Sequence, residues 1–203
     1  MNWQQLMEKA LEQLKSSGAA AAEPLLKEAF ELAGDSIEQK AMTHFNLGLV
    51  CYDLKRPKEA ENNFAQAIEL VQHELPKQNE LYGMFLKTMI EFYEKENRLA
   101  DSKNYYELEI EHTRNMFGAK HPYVANMICE LSDILIKSNE HAEAEKQLTR
   151  ALDIMSAARG PDHVQNASIH RNLSTCYSAL GRKDDAEYHR ARAEQLQEKR
   201  PQA

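Results

Sequence analysis

The chain has 203 residues, with 25 Lys and Arg against 32 Asp and Glu, and a formal net charge of −7. Modest acidity without a clustered basic surface argues against DNA or RNA as a partner, and no apolar run reaches membrane-spanning length. Only 7 Gly and 6 Pro are present, as expected of a nearly all-helical chain. Cys51, Cys129 and Cys176 form no CxxC pair and each lies in an apolar helical pattern, so they read as buried thiols in a reducing compartment. The segment from Met1 to Lys9 lacks the basic-then-apolar order of a signal peptide. The expectation is a cytoplasmic protein.

From about Trp3 to Leu14, Leu6, Met7, Ala10, Leu11 and Leu14 share one helical face. Lys15-Ser16-Ser17-Gly18 breaks that helix, and Ala19 to Leu32 forms the next, with Leu25, Leu26, Ala29 and Phe30 inward. Pro24 is assigned to about the first turn, where its missing N–H costs least. Trp3 is either a partner anchor or a lid on the exposed end, and the lid is preferred. Gly34-Asp35-Ser36 closes this pair, and Ser36-Ile37-Glu38-Gln39 has capping-box spacing for the next helix. Leu47, Gly48, Cys51 and Tyr52 fill the apolar side of that helix. Lys55-Arg56-Pro57 is the turn, and Ala60, Phe64, Ala67, Ile68 and Val71 line the returning helix.

The same arrangement recurs at a step of 42 residues: Leu47, Met89, Leu131 and Leu173 are all large, and Ala60, Ser102, Ala144 and Ala186 are all small. A fixed period in this range marks a solenoid of stacked helix pairs. The best-defined copy is Asn172 to Ala193, where Gly181 can take the left-handed conformation that ends its first helix. The copy from about Glu80 to Phe117 is irregular: Ile90 stands where Gly48, Ser132 and Ser174 are small, and Glu109 where the others carry Ala67, Ala151 and Ala193. An unpaired carboxylate in that seam is costly to bury. Either the seam opens through an altered packing angle, the preferred reading, or Glu109 finds a cation or donor at a functional site. The next copies begin Gly118-Ala119-Lys120-His121-Pro122 and Gly160-Pro161-Asp162-His163. Glycine ends a helix there and proline stands at or near the next start. Arg190 occupies the slot of Phe64, Tyr106 and Leu148, which suits a last helix that nothing covers. Lys199 to Ala203 should fray.

Leu47-Gly48, Ala60, Phe64 and Ala67 at these spacings resemble a tetratricopeptide repeat (TPR), in which small residues let paired helices approach and an aromatic fills the space between them. The step of 42, about two helical turns longer than the usual 34, points within that family to a subtype. So do the Gly…His-Pro linker and Ala142-Glu143-Ala144-Glu145 with Arg150-Ala151-Leu152. Together they resemble the repeats of kinesin light chains and their bacterial relatives, over roughly residues 36–196. The expected fold class is all-α: a right-handed α-solenoid of about five TPR helix-turn-helix units. It forms a single domain over 1–203, with units near 2–33, 36–74, 78–117, 121–159 and 162–198. Kinesin-type transport is not implied, since no long heptad segment is present.

The resemblance implies that the first helix of each pair lines an inner, concave face. Residues off the packed stripe of those helices point into it. They are Phe45, Asn46, Leu49, Tyr52 and Asp53, then Lys87, Glu91 and Glu94, then Cys129, Asp133 and Lys137, then Arg171, Asn172 and Thr175. An apolar end (Phe45, Leu49, Tyr52) running into alternating charge suits a peptide: anchors for affinity, charges for register. The carboxylate clamp of chaperone-adaptor TPRs uses Lys, Asn and Arg, the types of Lys87, Asn46, Asn172 and Arg171. Glu91 and Glu130 would repel a carboxylate from such a clamp, which argues against it.

Eight histidines invite a metal, but no HExxH and no Cys/His ligand cluster appears. His121 and His163 are assigned to the linkers. There is no phosphate-cradling glycine loop or Gly-x-Ser-x-Gly elbow, and Cys129 has no His beside it in sequence. The reading is therefore a non-catalytic, cofactor-free adaptor that binds a peptide or helix of a partner protein. It involves no nucleic acid and no membrane, and the chain is a monomer or weak homodimer. The alternative is self-assembly through the terminal units, with Trp3, Leu6 and Met7 as the adhesive end.

Overall fold

The computed structural model describes residues 1–74 and 79–198. The expected fraying of residues 199–203, and residue 78 as the start of the third pair, lie outside that range. Among the described residues, helices form five consecutive pairs: α1 (Trp3–Ser16) and α2 (Ala19–Leu32), α3 (Ile37–Asp53) and α4 (Pro57–Glu74), α5 (Glu80–Lys95) and α6 (Leu99–Phe117), α7 (Pro122–Lys137) and α8 (His141–Arg159), α9 (Asn166–Ala179) and α10 (Lys183–Glu198). No strand occurs among the described residues. The chain divides into two compact units, Met1–Phe92 and Tyr93–Ala203.

In the first unit, Leu6, Met7, Ala10, Ala22, Leu26, Ala29, Leu47 and Val50 form one buried cluster across α1, α2 and α3. Trp3, half-buried, packs against it and its Nε1–H donates to Thr43 Oγ1 at 3.0 Å. Two expectations change. Leu11 lies off the packed face and is exposed. Pro24 is the sixth residue of α2, a second-turn position that leaves the Ala20 carbonyl without its helical N–H partner. Asn2 and Gln5 form a reciprocal capping box on α1, whereas Ser36 supplies one bond of the expected box, accepting from the Gln39 N–H.

The α3–α4 contact depends on the absence of a side chain. A β-carbon added at Gly48 would lie 2.5 Å from two ring carbons of Phe64, so only glycine admits that ring here. In the second unit, Ser132 occupies the position of Gly48, and its hydroxyl donates to its own helix at Ile128 O, 2.7 Å away. Ser174 donates across to Ala186 O on α10 at 2.7 Å. Ile90 is buried in the irregular copy. Glu109 is half-buried and takes part in a polar interaction, whereas Ala67, Ala151 and Ala193 are buried. The seam is therefore not closed over its carboxylate.

The turns within pairs two to five share one geometry. Lys55, Asn97, Asn139 and Gly181, at the 42-residue step, all have positive φ, between 56° and 75°. The next N–H in each reaches back to a carbonyl five residues earlier: Arg56 to Cys51, Arg98 to Tyr93, Glu140 to Leu135 and Arg182 to Tyr177, at 2.8–2.9 Å. This is a Schellman closure, which satisfies carbonyls that a helix end would otherwise leave unpaired. In the linkers, Gly118 and Gly160 have φ of 90° and 95°. His121 Nδ1 accepts the Tyr123 N–H, capping α7 ahead of Pro122. Pro161 is not at a helix start, because α9 begins only at Asn166. The buried Asn166 amide instead holds the linker turn, its two N–H shared among Ser156 Oγ, Gly160 O and Pro161 O. Arg190 is exposed and reaches Glu187 at 3.7 Å.

Candidate functional site

The expected surface lies on the first helices α3, α5, α7 and α9. In the first unit, Phe45 and Asn46 are buried. Phe45 stacks on Phe85 at 4.7 Å, and the Asn46 amide donates to Met42 O at 2.8 Å. Phe45 is thus part of the core rather than of an open face, and Asn46 is bonded within its own helix. Leu49 and Tyr52 are half-buried on α3, and Tyr52 meets Phe92 edge-on at 5.5 Å. Lys87 and Glu91 are exposed on α5. The apolar part of this face is therefore Leu49 with the Tyr52 ring, held by an aromatic contact that the spacing of residues alone did not show.

In the second unit, Asp133, Lys137, Arg171 and Thr175 are exposed on α7 and α9, and Asn172 is half-buried. The Asn172 amide donates to Asp133 Oδ1 at 2.6 Å, which ties two successive first helices side by side. Burial raises the Asp133 carboxyl against the opposing pulls of Asn172 and Lys137. Thr175 donates to Arg171 O at 3.3 Å. Burial pushes the Cys129 thiol up to about 12, with Asp133 and Glu130 adding to the effect, so it is held as a thiol. Among the described residues, no three His, Cys, Asp or Glu converge in a way that could hold a metal ion.

Sequence spacing missed a second set of contacts. His170 on α9 and His189 on α10 meet nitrogen to nitrogen, and Tyr177 stacks on His189 at 5.2 Å. These rings lie 19 residues apart, on helices that only the folded pair brings together. The one available signal is the pair His44 and Asn63, with the same separation, whose polar atoms also meet, at 3.0 Å.

Helix pairs recurring at a constant step, closed by small residues against a bulky plug, define a helical-repeat module of the solenoid class. Models of the tetratricopeptide repeat match residues 41–73, 83–157 and 128–199. These matches span more than half of the chain, which belongs to the tetratricopeptide repeat family. A comparison with curated protein sequences finds no match. Among solved structures, the nearly identical TPR-like repeats of a Podosopora anserina kinesin-light-chain protein share 14% identity, cover 98% of this chain and 97% of theirs, and give a TM-score of 0.71. BtubC (BKLC) from P. vanneervenii is 17% identical over 96% of this chain and 79% of its own, with a TM-score of 0.67. MamA from Desulfovibrio magneticus RS-1 is 12% identical over 98% and 97%, with a TM-score of 0.61. These likenesses show a shared helical-repeat fold, and membership of the family supports a protein–protein interaction or scaffold role in general. No helix among the described residues is long and apolar enough to cross a membrane.

Proposed function

We propose that the chain is a non-catalytic cytoplasmic adaptor, one TPR domain over residues 1–203, that holds a peptide or helix of a partner protein against its first helices. The observation that carries this reading is the polar face of α7 and α9. There the Asn172–Asp133 bond sets the two helices side by side, with Lys137, Arg171 and Thr175 exposed beside it. Arranged charges of this kind set register and exclude wrong partners. Leu49 and Tyr52 supply apolar contact on the first unit's face, and tyrosine is among the residue types that dominate interface energies.

The self-assembly alternative is the less favoured reading. Leu6 and Met7 are buried in the first unit's core, and the Trp3 N–H is bonded to Thr43. The test is a pull-down comparing wild type with Tyr52→Ala plus Arg171→Glu, after thermal melts show that both are folded. Partners present with wild type and missing from the variant are expected. Identical partner lists would overturn the reading. Light scattering over a concentration series is expected to report a monomer or weak dimer.

A further inference from the structure

His170 and His189 place Nδ1 against Nδ1 at 2.7 Å, with ring centroids 5.0 Å apart. The two nitrogens therefore lie nearly on the line joining the rings. This is an in-line N–H···N hydrogen bond, and the lone pairs do not converge on a shared point as metal ligands would. One Nδ1 carries the proton and donates; the other is bare and accepts. A proton added to the bare nitrogen would set N–H against N–H. The pair thus holds together only while at least one ring stays neutral.

We propose that this contact is a proton-sensitive latch that docks the last helix, α10, on α9, and that acidification releases it. His170 is buried and His189 half-buried, wedged between the stacked Tyr177 ring and the edge of Tyr188. Asp185 and Arg192 face the pair from α10, and Glu145 faces it from α8. Arg192 is itself bonded to Asp162 of the linker and to Gln195. Burial, then His189 and Arg192, pushes His170 down to about 4, and burial lowers His189 against Asp185 and Glu145. Both values lie below the ordinary histidine value of 6.5. Docking stability is therefore complete above 6.5 and is lost as pH falls toward the depressed values. Undocking would uncover Ala186, Ala193 and Leu196, which are buried in the pair.

Earlier copies show which residues these two positions accept. At the same two positions in earlier pairs stand His44 with Asn63, and Ile128 with Gln147. Hydrogen exchange of α10 amides in the full chain, referenced to α8 amides, between pH 7.5 and 5.0 tests the proposal. In wild type the α10 opening constant is expected to rise below 6.5 by more than tenfold and up to about a hundredfold per pH unit, because the opened state takes a proton on each of the two rings, while α8 does not follow. His170→Ile with His189→Gln should remove the step. His189→Asn, which keeps an acceptor for a charged His170, should reduce it to the contribution of one buried ring. A wild-type α10 that tracks α8, or a double variant that retains the full step, would overturn the latch.

Discussion

Substituting Gly48 by alanine tests the packing logic at its tightest point. The new β-carbon would lie 2.5 Å from Cδ1 and Cε1 of Phe64 and 3.1 Å from Cγ, where carbon atoms normally sit about 3.5–4.0 Å apart. The ring has little room to retreat, being buried with Phe45 and Phe92 at centroid distances of 5.9 and 5.8 Å. Relieving the overlap must push α3 from α4 or force Phe64 off its rotamer, costing roughly 1–3 kcal/mol. Alanine returns about 1 kcal/mol of helix propensity at the same site. With the ring enclosed, the upper part of the cost range applies, and a net loss of about 1–2 kcal/mol is expected. At this chain length that is a drop in Tm of very roughly 2–8 °C, measurable by calorimetry or urea titration. Phe64→Leu should lose its own packing energy but relieve the clash, since Leu148 occupies that slot opposite Ser132. The double variant should therefore be less destabilised than the two single losses summed. A Gly48→Ala protein as stable as wild type or more so would refute the argument, because propensity alone would then be acting.

Lys55 holds a left-handed conformation, φ 60°, that costs a β-carbon residue about 1 kcal/mol or more, so Lys55→Gly should stabilise the fold by up to about 1 kcal/mol, read as a higher urea midpoint. Ser102 is buried with its Oγ bonded to nothing, and Ser102→Ala, the residue its equivalents carry, should be neutral or stabilising by up to about 1 kcal/mol; a clear loss would show an acceptor there. Glu23 is held below its ordinary 4.5 by hydrogen bonds from Arg56 and Lys27. Its contribution is present above 4.5 and fades as pH falls through the lowered value, so Glu23→Gln should melt lower than wild type at pH 7 and converge with it in acid. Cys129, pushed up to about 12, should react with a thiol reagent at pH 8 far more slowly than an unfolded control.

Much of the architecture was legible in the chain as written, because each helix pair is local. A 3.6-residue apolar stripe, a turn residue and a returning stripe suffice to specify it, and repetition states the message several times over. Leu47, Gly48, Ala60 and Phe64 needed no distant information to be placed. Helical spacing gives the direction of a side chain but not the distance to the neighbouring helix. Phe45 was expected on an open face, yet Phe64 of its own pair and Phe85 of α5 enclose it, and the Asn46 amide bonds back to Met42 O of its own helix. The Asn172–Asp133 bond, the Ser102 hydroxyl without a partner and the His170–His189 contact arise between helices, 39 residues apart in the first case and 19 in the last. Their existence depends on ångström-scale approach that no local pattern encodes. Periodicity alone was enough to say which residues pair the helices; which ones remain open to a partner was decided only when neighbouring helices took up their share of the surface.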